Sequence, residues 1–532
     1  MRFYQDGRTA TVTAALSKSS GYISLATNGK PDASLTPTWF QPCSSIAFPV
    51  PLLADASTQA LLPLVTLAYA PGAGTAAIIG QGSGISSHLL LGSPALRQLV
   101  TIEIEPQMVE GSRVFYPVNR RTFDDPRSRI IIDDAKSYFA SEHRKFDLIM
   151  SEPSNPWVSG VSGLFTDEFY TRIRGYLSED GVFGQWLHVY ELNDALVLSV
   201  LAAVHENFRS YEVYQVSHGD LLVVASNRAA LPKPDWSVFH SPMLREDLCR
   251  FLPLTPEVLD GTRLAGRPEL APLLQSYGSN SDYYPILDLG AERHRFRQDF
   301  AGGFSALSSD WFNLLGSLTG RRLGPGSEVK AALPENPRVR ARALGALLRS
   351  PAALEANDTA FGPLSRDAVY RWRQWQASMA ANRQPGNWEL WLDQANGIDR
   401  LRNGGTAGTL DTEFYAGLSR VMERYGAPQV VRDVVTFRKA VASWKFAEAS
   451  DAGERLLPIV TSQRRWIDAD ELRDGLVFAK LHLRDAAGAR RILDALAPLS
   501  RRPATDLRSE LLAAYVQTAE QVQPKVARAP RP

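Results

Sequence analysis

The chain reads as an α/β protein: a small N-terminal β domain, a sheet of alternating strands and helices, and an all-α C-terminal domain. Three observations carry that reading. Residues 51–228 alternate apolar strand runs with helical runs, the pattern of a parallel sheet. Four consecutive strands in that stretch end in a glycine turn or in acids. From about residue 305 the chain becomes rich in Ala, Arg and Leu, with amphipathic helical periods and no strand runs.

Residues 1–50 give short strands, Thr9 to Ala15 and Tyr22 to Thr27, with Asn28-Gly29 as a hairpin turn. Residues 56–96 contain no Asp, Glu, Lys or Arg, but Pro63, Pro71 and several glycines break the run. A buried helix plus strand is expected there, not a membrane span. The first sheet strand ends at Ile79 and runs into Gly80-Gln81-Gly82-Ser83-Gly84, ahead of a helical run from Ile85 to Leu91. Such a turn lets backbone approach a ligand that a side chain would block. The second strand, Leu99 to Glu105, carries Glu103 about 20 residues on, placed to accept hydrogen bonds from ribose hydroxyls. Glu105 is expected to cap the helix beginning near Pro106.

The third strand, Arg129 to Ile132, ends in Asp133-Asp134, and the fourth, from Phe146, ends in Ser151-Glu152-Pro153-Ser154-Asn155-Pro156-Trp157. Glu152 is then a carboxylate on a proline-stiffened loop at the ligand-binding edge of the sheet, suited to act as a base or hold a cation. A helix from Asn193 to Glu206 and strands Tyr211 to Val216 and Leu221 to Ala225 complete the sheet. The predicted division is a β-strand domain at 1–50, a catalytic domain at 51–300, a helical domain at 305–520 and a disordered tail at 521–532. Ala479 to Ala489 with Leu493 to Leu496 reads as one helix-turn-helix repeat of tetratricopeptide type.

At 532 residues and 44% hydrophobic, the chain can build about three cores. A net charge of +1 gives no reason to expect a nucleic-acid partner. Cys43 and Cys249 have no metal spacing, which predicts free thiols in a reduced compartment. No basic-apolar leader follows Met1. His188 has no second metal-type ligand nearby, so no metal is expected. Trp157, Trp186 and Tyr190 are expected as core or rim aromatics, and Arg120-Arg121 as a solvated charge pair.

Residues 1 to about 295 resemble the spermidine synthase-like aminopropyltransferases, and most closely the bacterial branch often fused to a membrane domain. The residues that carry this are Tyr4-Gln5-Asp6-Gly7, Asn28 to Ser34, Gly80 to Gly84, Glu103-Ile104-Glu105, Asp133-Asp134-Ala135, Ser151 to Gly160, Leu164-Phe165-Thr166, Glu168-Phe169-Tyr170, Gln185-Trp186 and Asn280-Ser281-Asp282. The resemblance implies a Rossmann-like, methyltransferase-type seven-strand sheet under the N-terminal β domain. It implies aminopropyl transfer from decarboxylated S-adenosylmethionine to a polyamine or other amine, in the cytoplasm or on the cytoplasmic side of a membrane. A homodimer and an attached membrane domain are further implications of the family, and a start inside the family's first strand points to truncation or a late start codon. Glu152 matches the catalytic acid. Gly80, Gln81, Gly82, Ser83, Gly84, Glu103, Asp133 and Asp134 match the donor site, with Asp134 near the adenine. Asn155, Gln185 and Asp55 fall on the acceptor side, Gln185 beside the amine channel.

Three departures stand out. Ser83 replaces an Asp that holds the donor's amino group, Glu152 is one methylene longer than the usual Asp, and Asn155 replaces a second Asp. Losing a charged partner in a dry site costs roughly 1.5–3 kcal/mol. A neutral Ser83 also tolerates ordinary S-adenosylmethionine as donor. Two alternatives follow: an S-adenosylmethionine-dependent N-methyltransferase, and a nucleoside-binding pseudoenzyme whose helical domain binds a partner.

Overall fold

The computed structural model describes residues 1–532 except 54, 159, 309–312, 356–362, 382, 504 and 523–532. Two compact units divide the chain: Met1–Arg267 with Tyr277–Gly302 and Ala332–Asn336, and Pro268–Ser276 with Gly303–Ala331 and the chain from Pro337 on.

The first unit begins with an antiparallel sheet, β1 (Phe3–Asp6), β2 (Thr11–Leu16), β3 (Ile23–Thr27) and β4 (Lys30–Leu35), in sequential order. Asn28 and Gly29 have φ of 49° and 80°, the left-handed pair that a tight hairpin between β3 and β4 requires. Alternation along β2 buries Val12 and Ala14.

The larger sheet collects β5 (Thr75–Ile79), β6 (Gln98–Glu103), β7 (Ser128–Ile132), β8 (Phe146–Ser151), β9 (Leu177–His188), β10 (Ser210–Gln215), β11 (Asp220–Ser226) and β12 (Arg263–Gly266). Their order is β12-β10-β11-β9-β8-β5-β6-β7. Strands β5 to β9 run parallel, as the sequence pattern predicts. Strand β11 pairs antiparallel with β9 and β10, and β12 antiparallel with β10. The sheet is therefore mixed and has eight strands, not seven. The extra strand comes from the extension after residue 229, where four residues are too short to show a period of two.

Helix α1 (Asp55–Ala68) is buried along nearly its whole length despite Pro63, which explains the charge-free stretch without a membrane. No described helix is long and apolar enough to cross one. The other helices of the parallel part are α2 (Ile85–Leu90), α3 (Pro106–Ser112), α4 (Arg120–Asp124), α5 (Ala135–Ser141), α6 (Asp167–Ile173) and α7 (Asp194–Asn207).

Two expectations fail. Cys43 and Cys249 are bonded in a disulfide, their Cα atoms 6.0 Å apart. Local packing brings them together: Trp39 meets Phe251 at 4.9 Å, and Val50 exchanges backbone hydrogen bonds with Arg250 and Leu252. Sequence distance hid that meeting, and the cysteine argument for a reduced compartment goes with it. Arg121 is not solvated. It donates to Asp247 at 2.8 Å, and its backbone N–H donates to Nδ1 of buried His88, whose Nε2 lies 3.1 Å from Asp247.

In the second unit, successive helices from Gln429–Ser443 through Phe446–Gln463, Ala469–His482 and Ala486–Leu496 to Leu507–Val522 pack each on the next. Asp485 caps the fourth by accepting from Gly488 N–H at 2.8 Å. Residues 521–522 end the last helix, and the rest of the expected tail lies outside the described residues.

One side chain fastens the small sheet to the large one. Glu105 caps α3 by accepting from Gln107 N–H, and also accepts from Thr9 N–H at 2.7 Å, Thr9 Oγ1 at 2.8 Å and Ala10 N–H. Glu105→Ala should therefore cost about 2–3 kcal/mol, more than a lost cap alone. Urea denaturation at neutral pH measures it, and a loss under 1 kcal/mol would show that the tether carries nothing.

Candidate active site

Strand register places the site. Ile79 of β5 pairs with Ile102 of β6 and with Ser151 of β8, so the glycine loop, Glu103 and Glu152 leave three adjacent strand ends together. Glu152 N–H donates to Ile79 C=O at 2.9 Å, and Gly80 N–H to Ile102 C=O at 2.9 Å. Gly80 has φ +96°, and a Cβ there would collide with the Glu152 carbonyl oxygen. Gly82 and Gly84 also have positive φ.

On the glycine-loop side, Glu103 accepts from Gln81 N–H at 2.8 Å and from Glu105 N–H at 2.9 Å. It is 8% exposed, and burial raises its pKa against those two bonds. Each oxygen keeps a lone pair for a further donor. The Gln81 Oε1 is buried with no hydrogen-bond partner among the described residues. The Ser83 hydroxyl donates to Gln59 Oε1. Asp134 caps α5 by accepting from Ser137 N–H, and Asp133 accepts from Asp134 N–H. Ile104 and Ile132, at the ends of β6 and β7, are exposed apolar side chains beside these acids.

On the other side, Glu152 has its pKa pushed up to about 7 by burial and by the nearby Asp220 carboxylate, opposed by the Ser86 hydroxyl. Asp220 opens β11, is half-buried, and is likewise raised by burial. It accepts from Thr58 Oγ1 at 2.9 Å, Ser217 Oγ at 2.6 Å and Trp186 Nε1 at 3.0 Å. The Asp220 carboxylate thus opposes ionisation of Glu152, as a like charge nearby does. Asp55 accepts from Ser34 Oγ at 2.6 Å.

Ring contacts continue from there. Trp186 stacks on His188 at 5.3 Å, and His188 meets Tyr190 at 4.6 Å and Trp157 at 5.0 Å. Asn155 donates to Tyr190 Oη at 3.3 Å. Trp157, Trp186 and Tyr190 thus belong to one cluster bordering the acids. Gln185 points the other way. It is fully buried and donates to the Ser151 and Trp186 carbonyls, while Tyr170 donates to it. Strand alternation puts Trp186 and His188 on one face of β9 and Gln185 on the other.

Sequence reasoning missed Asp220 and Ile132, weighed His188 only as a metal ligand and gave Ile104 no role of its own. An acid opening the apolar run Leu221–Ser226 is a signal for Asp220. The Asn280-Ser281-Asp282 motif has a bracing role: Asn280 donates to Phe165 C=O, and Glu168 accepts from Ser281 Oγ and Asp282 N–H. Among the described residues, no group of three or more His, Cys, Asp or Glu is arranged to hold a metal ion.

The profile of the spermine/spermidine synthase domain matches residues 58–218. The polyamine aminopropyltransferase of Thermoplasma volcanium is 38% identical over 108 residues, 20% of this chain and 39% of the relative. That of Bacillus subtilis is 28% identical over 137 residues, 26% of this chain and 49% of the relative. The chain thus spans about two fifths to one half of the length of these relatives. A spermidine synthase structure from Thermotoga maritima aligns with a TM-score of 0.33 and 19% identity, over 43% of this chain and 72% of that one. Residues 58–218 are thus similar to the spermine/spermidine synthase domain.

Proposed function

We propose that the chain transfers an aminopropyl group from decarboxylated S-adenosylmethionine to the nitrogen of an amine. The observation that carries this is Glu152: a carboxylate raised to about 7, on a strand end fixed against the glycine loop, with Asp220 beside it. Glu103 would accept from the ribose hydroxyls, and Ile104 and Ile132 would cover the base. An alkylamine has a pKa near that of Lys, about 10.4, and arrives as ammonium. Glu152 and Asp220 attract that cation, and Glu152 takes a proton from it. The freed nitrogen lone pair attacks the methylene bound to sulfur, the carbon–sulfur bond breaks onto sulfur, and neutral methylthioadenosine leaves. The sulfonium is already a good leaving group, so positioning and proton removal are the protein's share.

The acceptor amine and the exact donor belong to this proposal. A second reading, methyl transfer from S-adenosylmethionine, rests on Ser83: its hydroxyl is given to Gln59, and no carboxylate stands at that position for the donor's amino group.

Glu152→Gln should lower turnover 10²- to 10⁴-fold while leaving nucleoside affinity nearly intact. Assays of methylthioadenosine and adenosylhomocysteine release, with each donor, decide between the readings. Equal turnover by wild type and variant would end the mechanism. The wild-type kcat/KM should rise through about pH 7 as Glu152 ionises.

Glu103→Gln keeps the shape but removes a charge-assisted acceptor. Methylthioadenosine affinity should fall roughly 10- to 150-fold, which calorimetry reads.

Stability gives an independent check. Folding raises the Glu152 pKa from 4.5 to about 7, so ionising it costs stability as pH rises across that window. Glu152→Gln removes the cost. Relative to wild type the variant should gain up to about 3 kcal/mol above pH 7 and nothing near pH 4, by denaturant titration at both. A variant no more stable at pH 8 would mean that Glu152 is not desolvated.

A further inference from the structure

The far side of the aromatic cluster has the opposite charge. Lys30, at the start of β4, holds Nζ 5.2 Å from the Trp157 ring centroid. Arg295, on the helix Ile286–Arg297, places its guanidinium 5.4 Å from the same ring. Lys30 lies 3.7 Å from Asp32, whose Oδ1 accepts from Ser154 Oγ at 2.8 Å. Burial lowers the Lys30 pKa, with Asp32 and Glu191 opposing and Arg295 assisting.

Orphaned polar atoms collect at the same place. Trp157 Nε1, both ring nitrogens of His188 and Asp32 Oδ2 are buried with no hydrogen-bond partner among the described residues. Native interiors rarely leave such groups unpaired, and a concentration of them marks where a polar ligand or solvent belongs. Burial holds the His188 pKa well below its usual value, with Lys30 assisting, so the ring is neutral and offers one N–H. The donors grouped around the Trp157 ring are thus the Lys30 ammonium, the Arg295 guanidinium, the Trp157 indole N–H and one His188 N–H. Against them stand two carboxylates, Asp32, half of it already engaged, and Glu191.

We propose that Lys30 and Arg295, packed on Trp157 beside His188, form a carboxylate-reading subsite, so that one of the two substrates enters with an anionic end. This rests on the functional reading above and names its substrate class. A plain α,ω-diamine would bring its second ammonium toward two cations, a like-charge contact that a desolvated site penalises. A carboxylate would instead pair with Lys30 and occupy the indole and imidazole donors. It has two sources: the far end of an amino-acid-like acceptor, or the tail of S-adenosylmethionine that the decarboxylated donor lacks. Asp32 also raises the Glu103 pKa by like charge, a lesser effect than burial.

The test is calorimetry on the full chain. One arm titrates 4-aminobutanoate, butylamine and putrescine in the presence of methylthioadenosine. The other titrates S-adenosylmethionine and its decarboxylated form. In one arm the carboxylate-bearing compound should bind at least tenfold tighter than its carboxylate-free counterpart, and that arm names the source. Lys30→Met should erase the preference, and Arg295→Gln, on an exposed position where folding is not at stake, should reduce it. Equal or weaker binding of the carboxylate compound in both arms overturns the proposal, as does a preference unchanged in both variants. Turnover of putrescine with the decarboxylated donor, alongside either negative result, sinks the subsite and leaves the aminopropyl reading standing. A measured carboxylate preference without turnover by any pair keeps the subsite and removes that reading.

Discussion

The parallel pairing of β5 with β6 on one side and β8 on the other is the constraint that the candidate site depends on. Those ladders bring three separate loops to one edge with fixed offsets, and they do it with backbone hydrogen bonds that no side-chain exchange removes. The price is paid at Gly80, where the β5 end passes the Glu152 carbonyl so closely that no Cβ fits. Any residue but glycine there must push Glu152 off its strand end. The glycine loop and the acid are therefore one geometric unit, although 71 positions separate Ile79 from Met150 in sequence and nothing in either motif alone reveals the contact.

Local signals made much of this legible. The glycine loop, the alternating β6, the Asn28-Gly29 turn and the Glu105 cap each follow from neighbours within a few residues, where side-chain size, φ and capping decide. What escaped comes from long-range contact. Asp220 becomes a partner of Glu152 only because β11 inserts beside β9. Cys43 meets Cys249, and Arg121 meets Asp247, through loops whose course no periodicity encodes. Gln185 is a different case: its motif suggests a channel, but the two-residue period of β9 turns it inward and presents Trp186 and His188 in its place.

The acids of the molecule divide by what neutralises them. In the helical unit, Asp474 is almost wholly buried yet has its pKa lowered, because Arg508, Arg473 and Arg502 surround it. Glu471 is lowered in the same way by Arg438 and Arg400. Such nests fix helices against each other, and breaking one strands a charge in the interior. Asp399 in the same unit is raised to about 6 by burial, with Asn403 and Tyr415 hydrogen-bonding it.

Glu152 and Asp220 follow the contrary rule. Their partners are hydroxyls and an indole, which satisfy hydrogen bonds without supplying positive charge, and both pKa values rise. A fold under pressure for stability alone would place an arginine there, as it does beside Asp474. Lys30 and Arg295 instead sit over the Trp157 ring, and Lys30 lies 3.7 Å from Asp32. The acids are thus left short of positive charge at the sheet edge, which is the condition for a carboxylate to capture an ammonium and to exchange a proton with it near neutral pH.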